Sequence, residues 1–199
     1  MLDYDQEAQR YDATRGGLPR ARAAAAAIAS LLPYSPVVVV DVGGGTGIVS
    51  AEVAGRTSAA VLVCDASPGM LRVASARLPG RVACADASAL PLGAGAVDVV
   101  VTLWLLHLLV PTQVEQVVAE AARVLRPRGR YLTTVDKSAA QGRRSGPPSD
   151  RAALVTAVAA ASGLVPAGET TFAGHGQGVG GSPDPVYRML AFAADGPPE

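Results

Sequence analysis

The chain has 199 residues, of which 49% are apolar and 17% are charged. This length suits one domain, and the apolar share is large enough for a buried core, which excludes a disordered chain. The 17 basic residues balance the 17 acidic residues. The chain therefore lacks the basic surplus of proteins that bind nucleic acid or anionic membrane surfaces.

The two cysteines are too few for a disulfide framework. Cys64 and Cys84 each lie in an apolar, strand-like run, so we expect small buried side chains in a reducing compartment. The residues that follow Met1 include Asp3, Asp5 and Glu7, whereas a signal peptide begins with basic residues. The apolar run 23–32 is too short to span a bilayer. We therefore expect a cytoplasmic protein without a signal peptide and without membrane contact.

Strand and helix patterns alternate along most of the chain. Short β-branched and apolar runs predict strands, and apolar residues at helical spacing predict helices between them. Strands are predicted over 37–40, 60–64, 82–84, 97–103 and 130–135, and helices over 18–32, after Gly47, from Pro68 behind an N-cap at Ser67, and over 111–125. Because strand–helix–strand units pair in parallel through right-handed crossovers, this order predicts a layered α/β sheet.

The C-terminal part departs from this alternation. Asp150 is predicted to cap a helix that runs to Ser162, and residues 138–149 are expected to hold no helix. Two strand-like runs follow, 169–173 and 186–193, with only a glycine-rich loop between them. Since no helix fits between these runs, they predict an antiparallel hairpin with a mobile connecting loop.

The first predicted strand leads directly into a glycine-rich turn, Asp41–Gly47, from which a helix starts. Glycine can adopt positive φ values and lets a ligand approach the backbone closely. The first amides of the following helix are unpaired donors. Glycine turns after strands are common for purely structural reasons, so the turn is weak evidence by itself.

An acidic residue follows each of the first three strands, namely Asp41, Asp65 and Asp86. Ligands of open parallel sheets bind at the carboxyl edge, where the strand order reverses. A carboxylate there can accept hydrogen bonds from a ribose diol or from an adenine amino group. One such acid is more often a helix cap or a loop residue, but three beside a glycine turn predict a nucleoside-bearing ligand.

The spacing of the glycines separates two classes of cofactor. A dinucleotide fingerprint would place a glycine at position 48, which is Ile48 in this chain. The carboxylate of Asp41, two residues before Gly43, would also repel a pyrophosphate. A ligand with positive charge and no phosphate suits the turn better, and the ammonium and sulfonium of S-adenosylmethionine meet that demand.

At this point the motifs resemble those of a known family. The chain is similar to class I S-adenosylmethionine-dependent methyltransferases, in the type 11 branch that includes ubiquinone and menaquinone biosynthesis enzymes. The similar segments, in chain order, are 39–47, 65–71, 86–92, 97–100 and 124–130. The resemblance covers about residues 35–136.

The resemblance implies a doubly wound, Rossmann-like sheet of seven strands, mostly parallel with an antiparallel last strand, in an α/β/α sandwich. It implies a single methyltransferase domain over 1–199. Residues 1–32 would form an N-terminal lid and the first helix, 35–136 the cofactor-binding core, and 137–199 the C-terminal helix and hairpin.

The resemblance also implies roles for individual residues. Asp41 and the backbone of Gly43 and Gly45 would hold the methionine part of the cofactor. Asp65 would hold the ribose hydroxyls. The family's adenine contacts would fall to Asp86 and the Ala87 amide, and Ala66 or Met70 would pack on the ring, although a Met at this spacing is as often plain core. Tyr11, in the lid, and Thr102, at the end of the fourth strand, are further cofactor-binding candidates.

The acceptor side is less defined. His107 follows the fourth strand and is the candidate base, because an imidazole titrates near neutrality. The alternative for His107 is a half-buried side chain between leucines that bonds a backbone group. His175 is expected to be solvated unless its loop closes over the pocket. Trp104 either lines the acceptor pocket or fills the sheet edge.

The acceptor class is narrowed by motifs that the sequence lacks. The fourth strand is not followed by the Asn/Asp-Pro-Pro-Tyr motif of amino-group DNA methyltransferases, and no Pro-Cys nucleophile, basic stripe or metal-ligand cluster is recognised. We therefore expect in-line methyl transfer to an O, N or C centre of a small molecule. The site is expected to be shallow and completed by a mobile lid or a second subunit, as in a homodimer. The alternatives are a nicotinamide-dependent oxidoreductase and a catalytically silent binding partner with the same fold.

Overall fold

The computed structural model describes residues 3–33, 35–36, 38–142, 148–178 and 183–194. The strands in these ranges are β1 (Val38–Val42), β2 (Ala60–Asp65), β3 (Val82–Cys84), β4 (Val97–Thr102), β5 (Leu125–Val135), β6 (Leu164–Ala173) and β7 (Val186–Ala194). The helices are α1 (Tyr4–Thr14), α2 (Gly17–Leu31), α3 (Ile48–Ala54), α4 (Pro68–Arg77), α5 (Pro111–Val124), α6 (Lys137–Ala140) and α7 (Ala152–Ala161).

The strands form one sheet in the order β3-β2-β1-β4-β5-β7-β6. β7 pairs antiparallel with both β5 and β6, and the pairs from β3 to β5 are parallel. The doubly wound α/β sheet and the C-terminal hairpin are thereby confirmed. The strand order reverses between β1 and β4, so the segments that follow these two strands flank the crevice where open α/β sheets bind their ligands.

Helices cover both faces of the sheet. On one face, alternate strand residues such as Val39, Val61 and Val99 pack with α2 and α3, and α4 covers Val63 beside them. On the other face, Val40 packs with α5 and α7. This double coverage explains the continuous valine run of β1, because a parallel strand buried on both faces needs apolar residues at every position. None of the helices in the described ranges has the length and apolar character needed to cross a bilayer.

Three local predictions are wrong. Asp150 does not cap α7; its carboxylate accepts from the Lys137 amide, and Asp136 Oδ1 takes the amide of Ala152 at 3.2 Å. The segment after β5 is not free of helix, because α6 occupies its start. Cys84 is exposed rather than buried, because it ends β3, a short edge strand with a neighbour on one side only. The tip of the loop that was expected to be mobile, 179–182, lies outside the described residues.

Candidate active site

A cleft lies at the carboxyl edge of the sheet, between the glycine turn after β1 and the segment after β4, with α1 above it. It has two lobes, one of about 190 Å³ beside Asp65 and one of about 60 Å³ beside Asp41. The lobes share part of their walls and therefore lie next to each other. The shared lining residues are Tyr11, Gly43, Gly45, Leu103 and Trp104.

The glycine turn has the backbone conformation that its sequence predicts. Gly43, Gly45 and Gly47 have φ values of 69°, 56° and 69°, a region that side chains with a Cβ rarely adopt. Gly44 is needed for a different reason, since a Cβ there would lie 2.9 Å from Asp41 Oδ2. The turn therefore brings bare backbone to the cleft and keeps room for a carboxylate beneath it.

Asp41 is a buried carboxylate with an unsatisfied oxygen. Its residue exposure is 5%, and burial raises its pKa to about 6, while the hydrogen bond from Ser50 acts in the opposite direction and the nearby Asp65 charge raises it further. Asp41 Oδ1 is buried without a hydrogen-bond partner among the described residues. A buried acceptor without a partner costs free energy, so a ligand that donates hydrogen bonds to Asp41 would remove that cost.

Asp65 has a structural role that the sequence did not reveal. Its Oδ2 accepts from the Gly45 amide at 2.8 Å, and its Oδ1 accepts from the Ser67 amide at 2.8 Å. It thereby joins the glycine turn to the start of α4 while still lining the larger lobe. An ionised carboxylate has about four acceptor positions, so two hydrogen bonds leave capacity for a ligand.

The wall beyond Asp65 is apolar, and it contains some but not all of the residues that were predicted to contact the adenine. Ala66, Met70 and Ala87 all line the larger lobe. Asp86 does not: it is exposed, and its Oδ1 accepts from both the amide and the hydroxyl of Ser88, which lowers the pKa of Asp86. The structure thus brings Asp41 and Asp65 to the cleft, and Asp86 only to its outer edge.

Thr102 and His107 also lie away from the lining. The Thr102 hydroxyl is buried inside the sheet, where it bonds Tyr131 and Thr133, each at 2.8 Å. His107 lies in the 3₁₀ turn Leu106–Leu108, and its Nε2 is 2.7 Å from Lys137 Nζ. Because an ammonium group can only donate, Nε2 is the acceptor when Lys137 is charged. His107 is half-buried, as in the structural alternative, but it faces the Lys137 side chain and not a backbone group.

His175 lies outside the lining as well. Its side chain is 48% exposed, and its Nδ1 lies 3.9 Å from Asp184 Oδ2. The backbone of His175 packs closely against Gly16, where any Cβ would overlap the His175 carbonyl. The loop thus contacts the start of α2 through its backbone, and the imidazole points to solvent.

Trp104 lies where the two lobes of the cleft adjoin. It lines both lobes, and it has a left-handed φ of 50° while its backbone amide donates to Thr134 Oγ1 at 2.7 Å. Its ring packs edge-on against Phe172 and Tyr187. Both alternatives considered for Trp104 therefore apply, because its side chain fills the sheet edge and also lines the cleft.

Arg20 is a site residue that sequence reasoning missed. It is 8% exposed, lines the smaller lobe, and stacks its guanidinium 3.7 Å from the centre of the Trp104 ring. One of its N–H groups donates to the Arg15 carbonyl at 2.6 Å, and burial lowers its pKa. The titratable groups that act on this pKa are Tyr11, Tyr187 and Arg15, none of which is a carboxylate. The sequence contains one indication of this burial, because Arg20 lies on the same face of α2 as Ala24 and Ala27, at the spacing of a buried helix face.

Helix α1 is fixed above the cleft by two carboxylates. Asp12 accepts from the Thr46 hydroxyl and from Arg77, each at 2.6 Å. Asp5 accepts from the Ser67 hydroxyl and the Gly69 amide, also at 2.6 Å each. Asp5 and Asp12 are seven residues apart and thus lie on one helix face. Tyr4 and Tyr11, with the same spacing, line the larger lobe.

The charges of the cleft are unevenly distributed. The smaller lobe is lined by Arg15, Arg20, Asp12 and Asp41, of which Arg20 and Asp41 are buried, whereas Asp65 is the charged residue in the lining of the larger lobe. No group of three or more His, Cys, Asp or Glu in the described part of the chain is arranged to hold a metal ion. The arrangement of charges suits an elongated organic ligand that has a zwitterionic group at one end and a nucleoside-like group at the other.

The strand order and the antiparallel pairing of β7 are those that the resemblance implied. Residues 40–133 match the family model described as a methyltransferase domain, as the motifs predicted.

Two curated relatives and one solved structure illustrate the similarity. The chain is 38% identical over 133 residues to malonyl-[acyl-carrier protein] O-methyltransferase of Herminiimonas arsenicoxydans, covering 66% of this chain and 48% of the relative. It is 38% identical over 139 residues to the ubiquinone/menaquinone biosynthesis C-methyltransferase UbiE of Methylobacterium nodulans, covering 63% and 54%. The chain thus spans about half the length of these relatives.

The solved structure is geranyl diphosphate C-methyltransferase from Streptomyces coelicolor A3(2), in complex with Mg²⁺, geranyl diphosphate and S-adenosyl-L-homocysteine. The two chains share 16% identity with a TM-score of 0.68, over 86% of this chain and 77% of that one. At this level of identity the similarity concerns the fold alone.

Proposed function

We propose that the cleft binds S-adenosylmethionine and that the protein transfers the methyl group to a small-molecule acceptor. The observation that carries the proposal is the separation of charges along the cleft. Arg20 and Asp41 lie at one end, and Asp65 with apolar walls lies at the other. An α-amino acid joined to a nucleoside presents the complementary groups in the same order.

The smaller lobe suits the amino-acid end of this cofactor. Asp41 Oδ1 lacks a hydrogen-bond partner among the described residues, and an ammonium group supplies the donor that it needs. With a pKa of about 6, Asp41 is mostly ionised at neutral pH. Arg20 offers a guanidinium to a carboxylate, an arrangement in which charge-assisted hydrogen bonds are strong. The bare backbone of Gly43 and Gly45 allows the chain of the ligand to pass closely.

The larger lobe suits the nucleoside end. The free acceptor positions of Asp65 would take the ribose hydroxyls, and Ala66, Met70 and Ala87 would contact the base. The contact between Asp86 and the adenine amino group stays a prediction, because Asp86 lies at the outer edge in the described arrangement. Thr102 has no role in the proposal, since its hydroxyl is already bonded inside the sheet.

When bound, the sulfonium cofactor supplies an electrophilic methyl group and a neutral leaving group. The residues of this chain hold it in place, align the acceptor and exclude water. Alignment alone supplies about 7 kcal/mol or more of a barrier in well-oriented reactions. Tyr4 and Tyr11 of α1 cover the larger lobe, which limits entry of water. His107 is not assigned a proton transfer, because it faces Lys137 rather than the cleft.

Binding of S-adenosylhomocysteine, followed by calorimetry, tests the cofactor assignment. We expect micromolar affinity and no binding of NADH; the opposite result would favour the oxidoreductase alternative. Arg20→Met is expected to weaken binding about 10- to 100-fold, the value of a lost hydrogen bond between charged groups. Arg22→Met is the matched control, because Arg22 lies on the same helix with a side chain 60% exposed. Equal losses in both variants would remove Arg20 from the site.

A second measurement separates an enzyme from a silent binding partner. S-adenosylhomocysteine release is followed with a panel of small metabolites as acceptors. Release with at least one acceptor supports methyl transfer, whereas tight cofactor binding without turnover on any of them favours the silent partner. A cytoplasmic location is also part of the proposal, supported by the free thiols of Cys64 and Cys84. A homodimer remains a proposal that sedimentation can test.

A further inference from the structure

The wall of the larger lobe that follows β4 is apolar and continues to the protein surface. We call Leu105, Leu108 and Val110 the acceptor ledge. Leu105 and Leu108 line the lobe. Leu108 is 45% exposed and Val110 is 55% exposed. Exposed large apolar side chains beside a ligand cavity are a known mark of binding surfaces.

The exposure of the acceptor ledge is imposed by a well-ordered turn. The Leu108 amide donates to the Leu105 carbonyl at 2.9 Å, and Leu106 between them is 1% exposed and belongs to the core. Val110 is held in the same way, because its amide donates to Gln113 Oε1 at 3.1 Å at the start of α5. The apolar surface is therefore preformed, so the protein does not have to rearrange when a ligand binds to it, and this lowers the free-energy cost of binding.

Three charged side chains of the cleft are assigned to the cofactor. Asp41 and Arg20 serve its amino-acid end and Asp65 its sugar, whereas the β4 side of the larger lobe carries no charge. The residues on that side are Leu103, Trp104, Leu105 and Leu108, and their one polar side-chain group is the indole N–H of Trp104, which is buried without a hydrogen-bond partner among the described residues. These residues adjoin the walls shared by the two lobes, where the joint between the two ends of the cofactor would lie. The surface left for an acceptor on the β4 side is thus largely apolar, and Tyr4 and Tyr11 line the lobe from α1.

From this continuity we propose that the acceptor is an amphiphile whose hydrocarbon chain lies along the acceptor ledge, with its methylated atom at the inner end. The inference rests on the proposed function, since it uses the cofactor to occupy the charged groups. It identifies a class of substrate: a small molecule with a hydrocarbon chain that extends from Leu105 past Leu108 towards Val110. Leu108 is then a specificity-determining residue.

Chain-length dependence of binding tests this substrate class. The full chain is first saturated with S-adenosylhomocysteine, whose binding is verified independently by calorimetry. Anilinonaphthalene sulfonate fluorescence then reports on apolar sites, and straight-chain alcohols of four to ten carbons compete for it. Because each buried methylene strengthens binding about fourfold, we expect the inhibition constant to fall about two- to fourfold per added carbon on this half-open surface.

Variants assign the binding to the acceptor ledge. In protein saturated with S-adenosylhomocysteine, Leu108→Ser is expected to weaken binding of decanol at least fivefold, and Leu108→Met is expected to retain the binding; the affinity for S-adenosylhomocysteine is measured for each variant so that saturation is verified. Val165→Ser is the matched control, because Val165 is similarly exposed at 43% but lies on β6.

Several results would overturn the inference while leaving the cofactor assignment intact. These are normal S-adenosylhomocysteine binding with no probe binding, with no chain-length dependence, or with equal behaviour of the Leu108 and Val165 serine variants. A dimer of the native protein that Leu108→Ser converts to a monomer would instead make the ledge an interface between copies, and would also overturn it. Loss of S-adenosylhomocysteine binding in the native protein would overturn the proposed function itself.

Discussion

Asp12 and Arg77 are 65 positions apart in the chain and are joined by a salt bridge of 2.6 Å. Arg77 also donates to the Thr46 carbonyl at 2.6 Å, and Asp12 accepts from the Thr46 hydroxyl. The three residues thus connect the helix above the cleft, the glycine turn and the end of α4. Any opening of α1 must break these contacts.

Removing the guanidinium of Arg77 should make S-adenosylhomocysteine, the product formed from the cofactor, dissociate faster. Arg77→Gln is the informative variant, because Arg77 does not line the cleft, so a change reports on α1 and not on a lost ligand contact. The lost hydrogen bonds correspond to about 1–2 kcal/mol, and S-adenosylhomocysteine should dissociate about 5- to 30-fold faster in stopped-flow experiments. The control is Arg10→Gln, whose partner Glu7 is on the same helix. Identical rates in all three proteins would mean that α1 does not limit release.

The burial of Asp41 should cost stability at neutral pH. Its pKa is about 6 in the folded chain against an ordinary value of 3.8, so the folded chain holds a proton that the unfolded chain has released between these pH values. The contribution of Asp41 to the free energy of unfolding is therefore present at low pH and is lost as the pH rises through 6. A difference of about two units corresponds to about 3 kcal/mol.

Asp41→Asn should reveal this cost, since an amide has no charge to desolvate. We expect the variant to be about 1–3 kcal/mol more stable than the native protein at pH 8, with the difference shrinking below pH 6 and vanishing near pH 4. Denaturant unfolding at a series of pH values measures it. The same variant should bind S-adenosylhomocysteine more weakly. A stability difference that is independent of pH would show that Asp41 does not titrate in this range.

Asp65 and Asp86 should differ when each is replaced by alanine. Asp65→Ala removes the acceptor for the Gly45 and Ser67 amides as well as the proposed ribose contact. We expect S-adenosylhomocysteine binding to weaken by about 1.5–3 kcal/mol, the value of hydrogen bonds to a charged group, and the melting temperature to fall as well. Asp86→Ala should leave the melting temperature nearly unchanged, because the hydrogen bonds that its side chain accepts among the described residues come from Ser88, two residues further along the chain.

Calorimetry on the two variants also tests the adenine prediction. A weaker affinity in Asp86→Ala would support the contact between Asp86 and adenine, and an unchanged affinity would remove it. An unchanged affinity in Asp65→Ala would contradict the nucleoside assignment of the larger lobe.

His107→Gln distinguishes a base from a structural histidine. Since His107 bonds Lys137, we expect the variant to lose stability and to retain turnover within about tenfold, whereas removal of a general base costs about 10²- to 10⁴-fold. The readout is S-adenosylhomocysteine release with an acceptor identified in the metabolite panel, together with its pH profile. A loss above a hundredfold with an altered pH profile would restore His107 as the base.

Local sequence was sufficient for the scaffold of the site. The β-branched run of β1, the glycine turn and the Ser67–Pro68 helix start all follow from short-range preferences, and they appear within a few residues of the predicted bounds. Asp41 and Asp65 also reach the same edge as predicted, because parallel strands align their carboxyl ends. These features depend on backbone conformation and on the order of the strands, which neighbouring residues encode.

Tertiary packing decided which side chains face the cleft. Arg20 acquires its role only because α2 places it on the ring of Trp104, and Asp12 only because α1 lies beside Arg77. Asp86 meets its own neighbour Ser88 instead of the cleft, and Asp136 caps α7 in place of Asp150. The contacts of Arg20, Asp12 and Asp136 join residues distant in the chain, and the free energy of burial and pairing that selects them exists only once the helices have packed on the sheet.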